Sequence, residues 1–408
     1  MFLPEEKTVA VVPEGNIELL GQYLAEEYIA SYKESDPVTR VAYQASVEAV
    51  RDRLDLKGFT LEVAGRIFQS GLDSKLASID SHSSYDGEDR HVLQSLSIES
   101  WLDAFIDIHQ GTDDQWESDQ SYLKRHMFTT GYYGFPSFDV RHLLRILLDR
   151  FHDHEKVIYD ITDLVAGGWI EQDDELDLRA RQLADLAAVV SKRTIVLTEG
   201  KTDREFLERS LGLLLPHLSP YFHFFDFVGG NQQGGAGTLA NLVRAFAAAD
   251  VEHRILALFD NDTAARSAAS TLSPATLPRN IVVRHYPNLD IACKYPTKGP
   301  SGFTTQNVNG LAASLELYLG EDVLKDENGE LRPVEWRGPD AKLNAYQGEV
   351  FGKRAIQEGF RRKLSDCEGD SSKIGAYDWV GITRIHEVMR TAFQEVNAEA
   401  ILQSADHE

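Results

Sequence analysis

Along the first half of the chain, apolar residues return every three or four positions. Segments such as NIELLGQYLAEEYIASYKES and DVRHLLRILLDRFHDHEKVIYDITDLVAGGWI carry this spacing, which gathers their apolar side chains on one helical face. The β-branched alternation of a sheet is scarce between residues 14 and 190, so residues 1–190 are predicted to form an all-α domain. DDELDLRARQLADLAAVVSKR reads as a further helix, and beyond it the texture changes. TIVLTEG, a helix from Thr202 to Leu214, FHFFDFVGG, a helix from Leu239 to Ala249, RILALFDND, a helix near Ala264 and NIVVRHYP follow one another. Short apolar runs alternating with helices predict a largely parallel, Rossmann-like sheet with right-handed crossovers. This α/β domain is expected over 191–408 with a helical extension at its C-terminal end, and DENGELRPVEWRGPD reads as a loop or hairpin insertion.

Charge and cysteine content narrow the classes. The chain has 408 residues and a formal net charge of −24, which disfavours avid non-specific binding to phosphate backbones. A local basic patch, a bridging divalent cation or a partner subunit would still allow contact with nucleic acid. Only Cys293 and Cys367 occur, too few for a disulfide framework or a four-cysteine zinc ribbon. No apolar stretch approaches the ~20 residues that cross a bilayer, and the opening MFLPEEKTVAVVPEG lacks the features of a signal peptide. A cytoplasmic location without membrane contact is the expectation.

The candidate chemistry begins at TIVLTEGKTD. Gly200-Lys201-Thr202 resembles the end of a phosphate-binding P-loop, but the glycine required five residues earlier is Ile195, inside a strand. What remains is Glu199 where one strand ends, and Asp260 and Asp262 where another ends. Ligands gather at the carboxyl ends of parallel strands. If these two strands are neighbours, three carboxylates meet at one edge, where they repel one another unless a hard cation such as Mg²⁺ or Mn²⁺ lies among them. The competing reading is that each acidic residue merely caps the helix after its strand. The glycine-rich VGGNQQGGAG either admits a phosphate near helix-terminal amides or serves only as a turn.

Glu199-Gly200-x-x-Asp203 after one strand, with Asp260-x-Asp262 about sixty residues on, resembles the Toprim domain. That domain is shared by topoisomerases, primases and a group of nucleases that includes the OLD (overcoming lysogenization defect) family. The resemblance covers about residues 193 to 290. It implies that Glu199 is the family's glutamate, Asp260 and Asp262 its metal-binding aspartate pair, and Asp203 the extra acidic residue of the nuclease group. Further along, VNGLAASLELYLGEDVL is similar to an acidic segment of single-chain Toprim nucleases and makes Glu316 a further candidate ligand. By the same resemblance Lys353, in AYQGEVFGKRAIQEGF, is a candidate for steadying the transition state; a solvated surface lysine is the alternative.

The helical half has its own candidate pair. Arg145 and His152 fit the loose Arg-x(4–6)-His signature of HEPN domains, helical bundles that often act as metal-independent ribonucleases. On a continuous helix, seven residues span nearly two turns and place both side chains on one face. Histidine would then serve as acid and base, and arginine would meet the phosphate. The plain alternative is a surface helix in a basic segment. A helical half joined to a Toprim-like half is similar to the HEPN/Toprim-type proteins of bacterial conflict with phage.

Two cysteines cannot supply the zinc-binding domain of bacterial primases or the cysteine cluster of Toprim recombination mediators, and a topoisomerase needs a nucleophilic tyrosine domain. The resemblance therefore implies a metal-dependent nuclease acting on DNA or RNA. Glu199 and Asp203 would hold one Mg²⁺ or Mn²⁺, and Asp260 and Asp262 another. The expected partners are the nucleic-acid substrate, a separately encoded ATPase or other protein, and further copies of the chain. The rival class is a non-catalytic nucleotide- or nucleic-acid-sensing assembly module.

Overall fold

The computed structural model describes residues 6–11, 39–81, 87–110, 123–124, 127, 134–137, 139–171, 193–226, 234–249, 251–272, 277–300 and 302–405. These form two compact units, one from residues 1–184 with 394–408 and one from 185–393.

The first unit is helical with a small sheet. Strands β1 (Glu6–Val11) and β2 (Thr39–Ser46) precede helices α1 (Val47–Leu56), α2 (Leu61–Ser81), α3 (Gly87–Ser95), α4 (Ile98–Gln110) and α5 (Val140–Leu148). Strand β3 (Lys156–Asp160) and the short helix α6 (Thr162–Ala166) follow. The helical spacing delivers a core of Phe68, Leu72, Trp101, Leu102, Phe135 and Ile146. Helix starts are set locally: Ser46 Oγ accepts from Ala49 N–H, and Asp139 Oδ1 accepts from Arg141 N–H.

The expected all-α domain needs correction, because β1, β2 and β3 make an antiparallel sheet in that order. The run TRVAYQAS alternates only in its second half, with Val41, Ala42, Tyr43 and Ala45 buried. It is eight residues long, and it is paired by segments at residues 6–11 and 156–160 that lie far from it in sequence. A scan for local periodicity does not connect such pieces.

The second unit opens with β4 (Thr194–Leu197), α7 (Lys201–Leu214), β5 (Phe222–Phe224), α8 (Ala236–Ala248) and β6 (Ile255–Phe259). The two-residue β7 (Asn261–Asp262), α9 (Thr263–Ala269) and β8 (Ile281–His285) complete its first part. Strands β5, β4, β6 and β8 form one parallel sheet in that order, as the β-α-β pattern implies. Every residue of β6 (ILALF) is buried, because helices cover both faces and leave no reason for alternation. Ile255, Ala257 and Phe259 pack with Leu239, Ala240 and Val243 of α8 on one face.

Strands β9 (Tyr295–Gly299), β10 (Gly302–Gln306), β11 (Ala312–Ala313), β12 (Val334–Asp340) and β13 (Ala345–Val350) follow, with helix α10 (Glu321–Leu324) before β12. A second sheet runs β10-β9-β12-β13, so DENGELRPVEWRGPD contributes a strand of a hairpin. β11 pairs antiparallel with β7. Helices α11 (Lys353–Gly369) and α12 (Val380–Thr391) close the unit, with Phe360 of α11 packed on Phe206 of α7 at 4.9 Å between ring centroids. The last helix, α13 (Gln394–Ala405), belongs to the first unit instead of extending the second. Asn397 Nδ2 donates to Leu56 O at 3.0 Å, and Gly58 at φ +94° has no room for a Cβ beside Asn397. Among the described residues no helix is long and apolar enough to cross a membrane.

Candidate functional site

The first and third strands of the parallel sheet, β4 and β6, are neighbours, with β5 outside β4 and β8 outside β6. An open sheet of this order has its topological switch point between those two strands, and ligands sit outside their carboxyl ends. Glu199 lies two residues past the end of β4 and Asp260 one past the end of β6. The two are joined directly: Asp260 N–H donates to Glu199 Oε1 at 2.9 Å. Asp203 comes to the same edge from the first turn of α7.

The backbone around these carboxylates is tightly fixed. The β7–β11 ladder brings residues 314–316 alongside, so that Leu315 N–H donates to Asp260 Oδ1 at 3.1 Å. His285, the last residue of β8, donates from Nδ1 to Asp260 O at 2.9 Å, since a carbonyl only accepts. Gly235 N–H donates to Glu199 O at 2.8 Å, and a Cβ on Gly234 would stand 2.6 Å from that oxygen. Most of the glycine-rich loop, residues 227–233, lies outside the described residues.

The electrostatics mark the cluster. Burial, with smaller contributions from Asp262 and Asp203, pushes the Glu199 carboxyl up to about 8. Burial and the Glu316 charge push Asp203 up to about 7. Asp260 is raised well above the ordinary carboxylate range by burial, then by Asp203, Glu199, Asp262 and Glu316. Carboxylates this close, with few cations about them, disfavour one another's charged forms.

The remaining candidates are placed differently. Asp262 caps α9, its Oδ1 accepting from Ala265 N–H at 2.7 Å, and its Oδ2 accepts from Gln347 Nε2 at 2.8 Å. For this one residue, the capping alternative is what the structure displays. Glu316 is buried in a 3-10 turn, with Ser314 Oγ donating to Oε2 at 2.7 Å and Gln357 Nε2 donating to Oε1 at 2.8 Å. Lys353, the first residue of α11, lies 3.4 Å from both Glu316 and Glu349 and so is no free surface lysine. Burial works against its charge, but Glu316, Glu349 and Asp260 outweigh that and raise its pKa.

A hard cation is chemically suited to this edge, because its donors are carboxylate oxygens, and those of Glu199, Asp203 and Asp260 are held above the ordinary carboxylate range. As described, however, the side chains are not drawn into a finished coordination shell. Among the described residues no group of three His, Cys, Asp or Glu side chains has the arrangement of a metal site. The hydrogen bonds give the reason, since Asp262 and Glu316 spend both oxygens on protein donors and Glu199 turns one to the Asp260 amide.

The helical pair is not brought together. α5 ends at Leu148, so His152 lies beyond the helix and the shared face expected for it and Arg145 does not exist. Arg145 is buried, and its Nε donates to Asp55 Oδ1 at 2.7 Å. His152 is exposed and stacks on His154 at 5.7 Å. An apolar stripe followed by charged residues looks helical throughout, but Asp149 and Arg150 already close the last turn through their N–H groups.

Sequence reading passed over Gln347, which holds Asp262, and Tyr286, a buried tyrosine at the same edge. The Tyr286 hydroxyl is pushed well up by burial and by the charges of Asp203, Asp260 and Glu199. A signal for Tyr286 existed, because it directly follows β8, and whatever follows a parallel strand lies at the ligand edge. No such signal existed for Gln347, which arrives on a strand of the second sheet.

Comparison with known proteins adds one match. Residues 15–182 match the family model described as HEPN/Toprim N-terminal domain 1, which supports a HEPN/Toprim-type protein. No curated protein and no solved structure matches the chain.

Proposed function

We propose that the edge formed by Glu199, Asp203 and Asp260 is the centre of a metal-dependent nuclease that hydrolyses phosphodiester bonds of DNA or RNA. The match of the first half to a HEPN/Toprim model supports a nuclease-type role. The observation that carries the finer reading is the meeting of three mutually repelling carboxylates at the switch point of a parallel sheet. An anti-phage setting and a Toprim identity for the second unit extend the resemblance drawn from the sequence.

Glu199, Asp203 and Asp260 would hold Mg²⁺ or Mn²⁺, with Asp262 and Glu316 bordering them. When bound, such an ion supplies Lewis acidity and charge neutralisation at the phosphoryl oxygens. The chain's own groups prepare the edge. The amides of Asp260 and Leu315 fix the directions of the Glu199 and Asp260 carboxylates. Lys353 offsets the charge of Glu316 and Glu349 and offers a cation to a phosphate arriving beside them. Burial favours the protonated forms of Glu199 and Asp203 near neutral pH, and a bound cation would favour their ionised forms instead.

The alternative of a HEPN-type ribonuclease centred on Arg145 and His152 is disfavoured by the commitment of Arg145 to Asp55. Four variants separate the two. Labelled DNA and RNA are incubated with wild type, Glu199→Ala, Asp260→Ala, Arg145→Ala and His152→Ala, with and without Mg²⁺ or Mn²⁺. The carboxylate variants are expected to lose metal-dependent cleavage while His152→Ala keeps it. Retained cleavage in both carboxylate variants overturns the proposal.

A further inference from the structure

Beside the carboxylate edge lies a cavity of about 470 Å³ whose rim differs in chemistry from the rest of the molecule. Its lining includes Asn261, Arg266, His285, Tyr286 and Asn288, with Asn307 and Asn309, and holds no Asp or Glu. In a chain of net charge −24, this leaves Arg266 as the permanent charge among the lining residues. The cavity is continuous with the site through the backbone. Asn261 stands between Asp260 and Asp262 in the chain, and on β7 its side chain points to the face opposite that of Asp262. His285 both lines the cavity and bonds the Asp260 carbonyl.

The rim is also built rather than incidental. Asn309 clamps Leu289 from both sides, its Oδ1 accepting from Leu289 N–H at 2.9 Å and its Nδ2 donating to Leu289 O at 3.0 Å. Asn261 Nδ2 donates to Asn288 Oδ1 at 2.9 Å, which orients the exposed Asn288 amide. Gly310, at φ +73°, leaves the space that Arg266 Nη1 occupies; a Cβ there would come within 2.7 Å of it.

A volume within the usual range for small-ligand sites, one arginine and several amides suit one ligand class. The Arg266 guanidinium matches a phosphate, and asparagine amides match the donor and acceptor edges of a base. We propose that this cavity is a mononucleotide subsite, holding one nucleotide of the substrate with its phosphate toward Arg266 and its base toward the asparagines. The inference rests on the reading of the adjoining edge as a nuclease centre.

The test measures binding without cleavage. The full chain in EDTA is titrated by calorimetry with the four ribonucleoside 5′-monophosphates and with inorganic phosphate. At least one mononucleotide is expected to bind saturably and at least tenfold more tightly than phosphate. Arg266→Ala and the nearly isosteric Asn288→Asp should each weaken it at least tenfold, the latter by bringing a negative charge to the rim with the melting temperature unchanged. Absence of saturable binding, phosphate binding as tight as nucleotide, or wild-type affinity in Asn288→Asp overturns the subsite. Nucleotide binding that follows this pattern in a protein that cleaves nothing with Mg²⁺ or Mn²⁺ upholds the subsite and removes only the nuclease reading.

Discussion

Replacing Glu199 by glutamine tests whether the carboxylate edge is poised for a cation. The substitution keeps an oxygen for the Asp260 amide, now 2.9 Å from Oε1, and removes one charge from the cluster. Burial and neighbouring carboxylates raise the Glu199 pKa from 4.5 to about 8, so its folded value exceeds its unfolded one. A group shifted that way leaves stability intact below about pH 4.5 and costs stability as pH rises toward 8. At about 1.4 kcal/mol per pH unit, the cost reaches ~3 kcal/mol at pH 7. Solvent screening at this half-buried position reduces it to ~1–2 kcal/mol. In EDTA, Glu199→Gln should therefore match wild type near pH 4.5 and exceed it by ~1–2 kcal/mol at pH 8, or roughly 2–6 °C in melting temperature. Mn²⁺ should then raise the melting temperature of wild type more than that of the variant. A variant no more stable than wild type at pH 8 in EDTA would refute the idea that these carboxylates repel one another in the empty site.

Other substitutions probe the surroundings. Arg145→Ala should destabilise the first unit by ~3 kcal/mol in urea denaturation, because the buried Asp55 carboxylate loses the guanidinium that neutralises it, while His152→Ala changes stability little. Gly234→Ala should lower metal-dependent cleavage about tenfold, since the new Cβ pushes on the Glu199 carbonyl; Gly237→Ala, in open space, is the control that should cleave normally. His386 is buried with its Nε2 3.0 Å from Ser210 Oγ, and burial pulls its pKa from 6.5 down to about 4. Stability from that group is present above pH 6.5 and falls by ~3 kcal/mol as pH drops toward 4. His386→Met should flatten this acid limb in denaturation profiles taken between pH 7 and 4.

The sequence by itself determined the parallel sheet and the order of its parts. A fully apolar β6 bounded by helical runs has few other solutions, and Glu199, Asp203 and Asp260 fall at strand and helix ends that such a sheet must bring to one edge. The strand TRVAYQAS was not legible in the sequence, because its partners at residues 6–11 and 156–160 lie far from it along the chain. The tertiary structure decided everything that depends on long-range partners. It assigned both Asp262 oxygens to the α9 amide and to Gln347, 85 residues further on, and it drew Glu316 toward Gln357 and Lys353. It sent Arg145 inward to Asp55, 90 residues earlier, and left His152 beyond the end of its helix. Periodicity reports which face of an element is apolar. Which polar partner satisfies a side chain on that element depends on chain segments brought together only by folding, and local spacing carries no record of them.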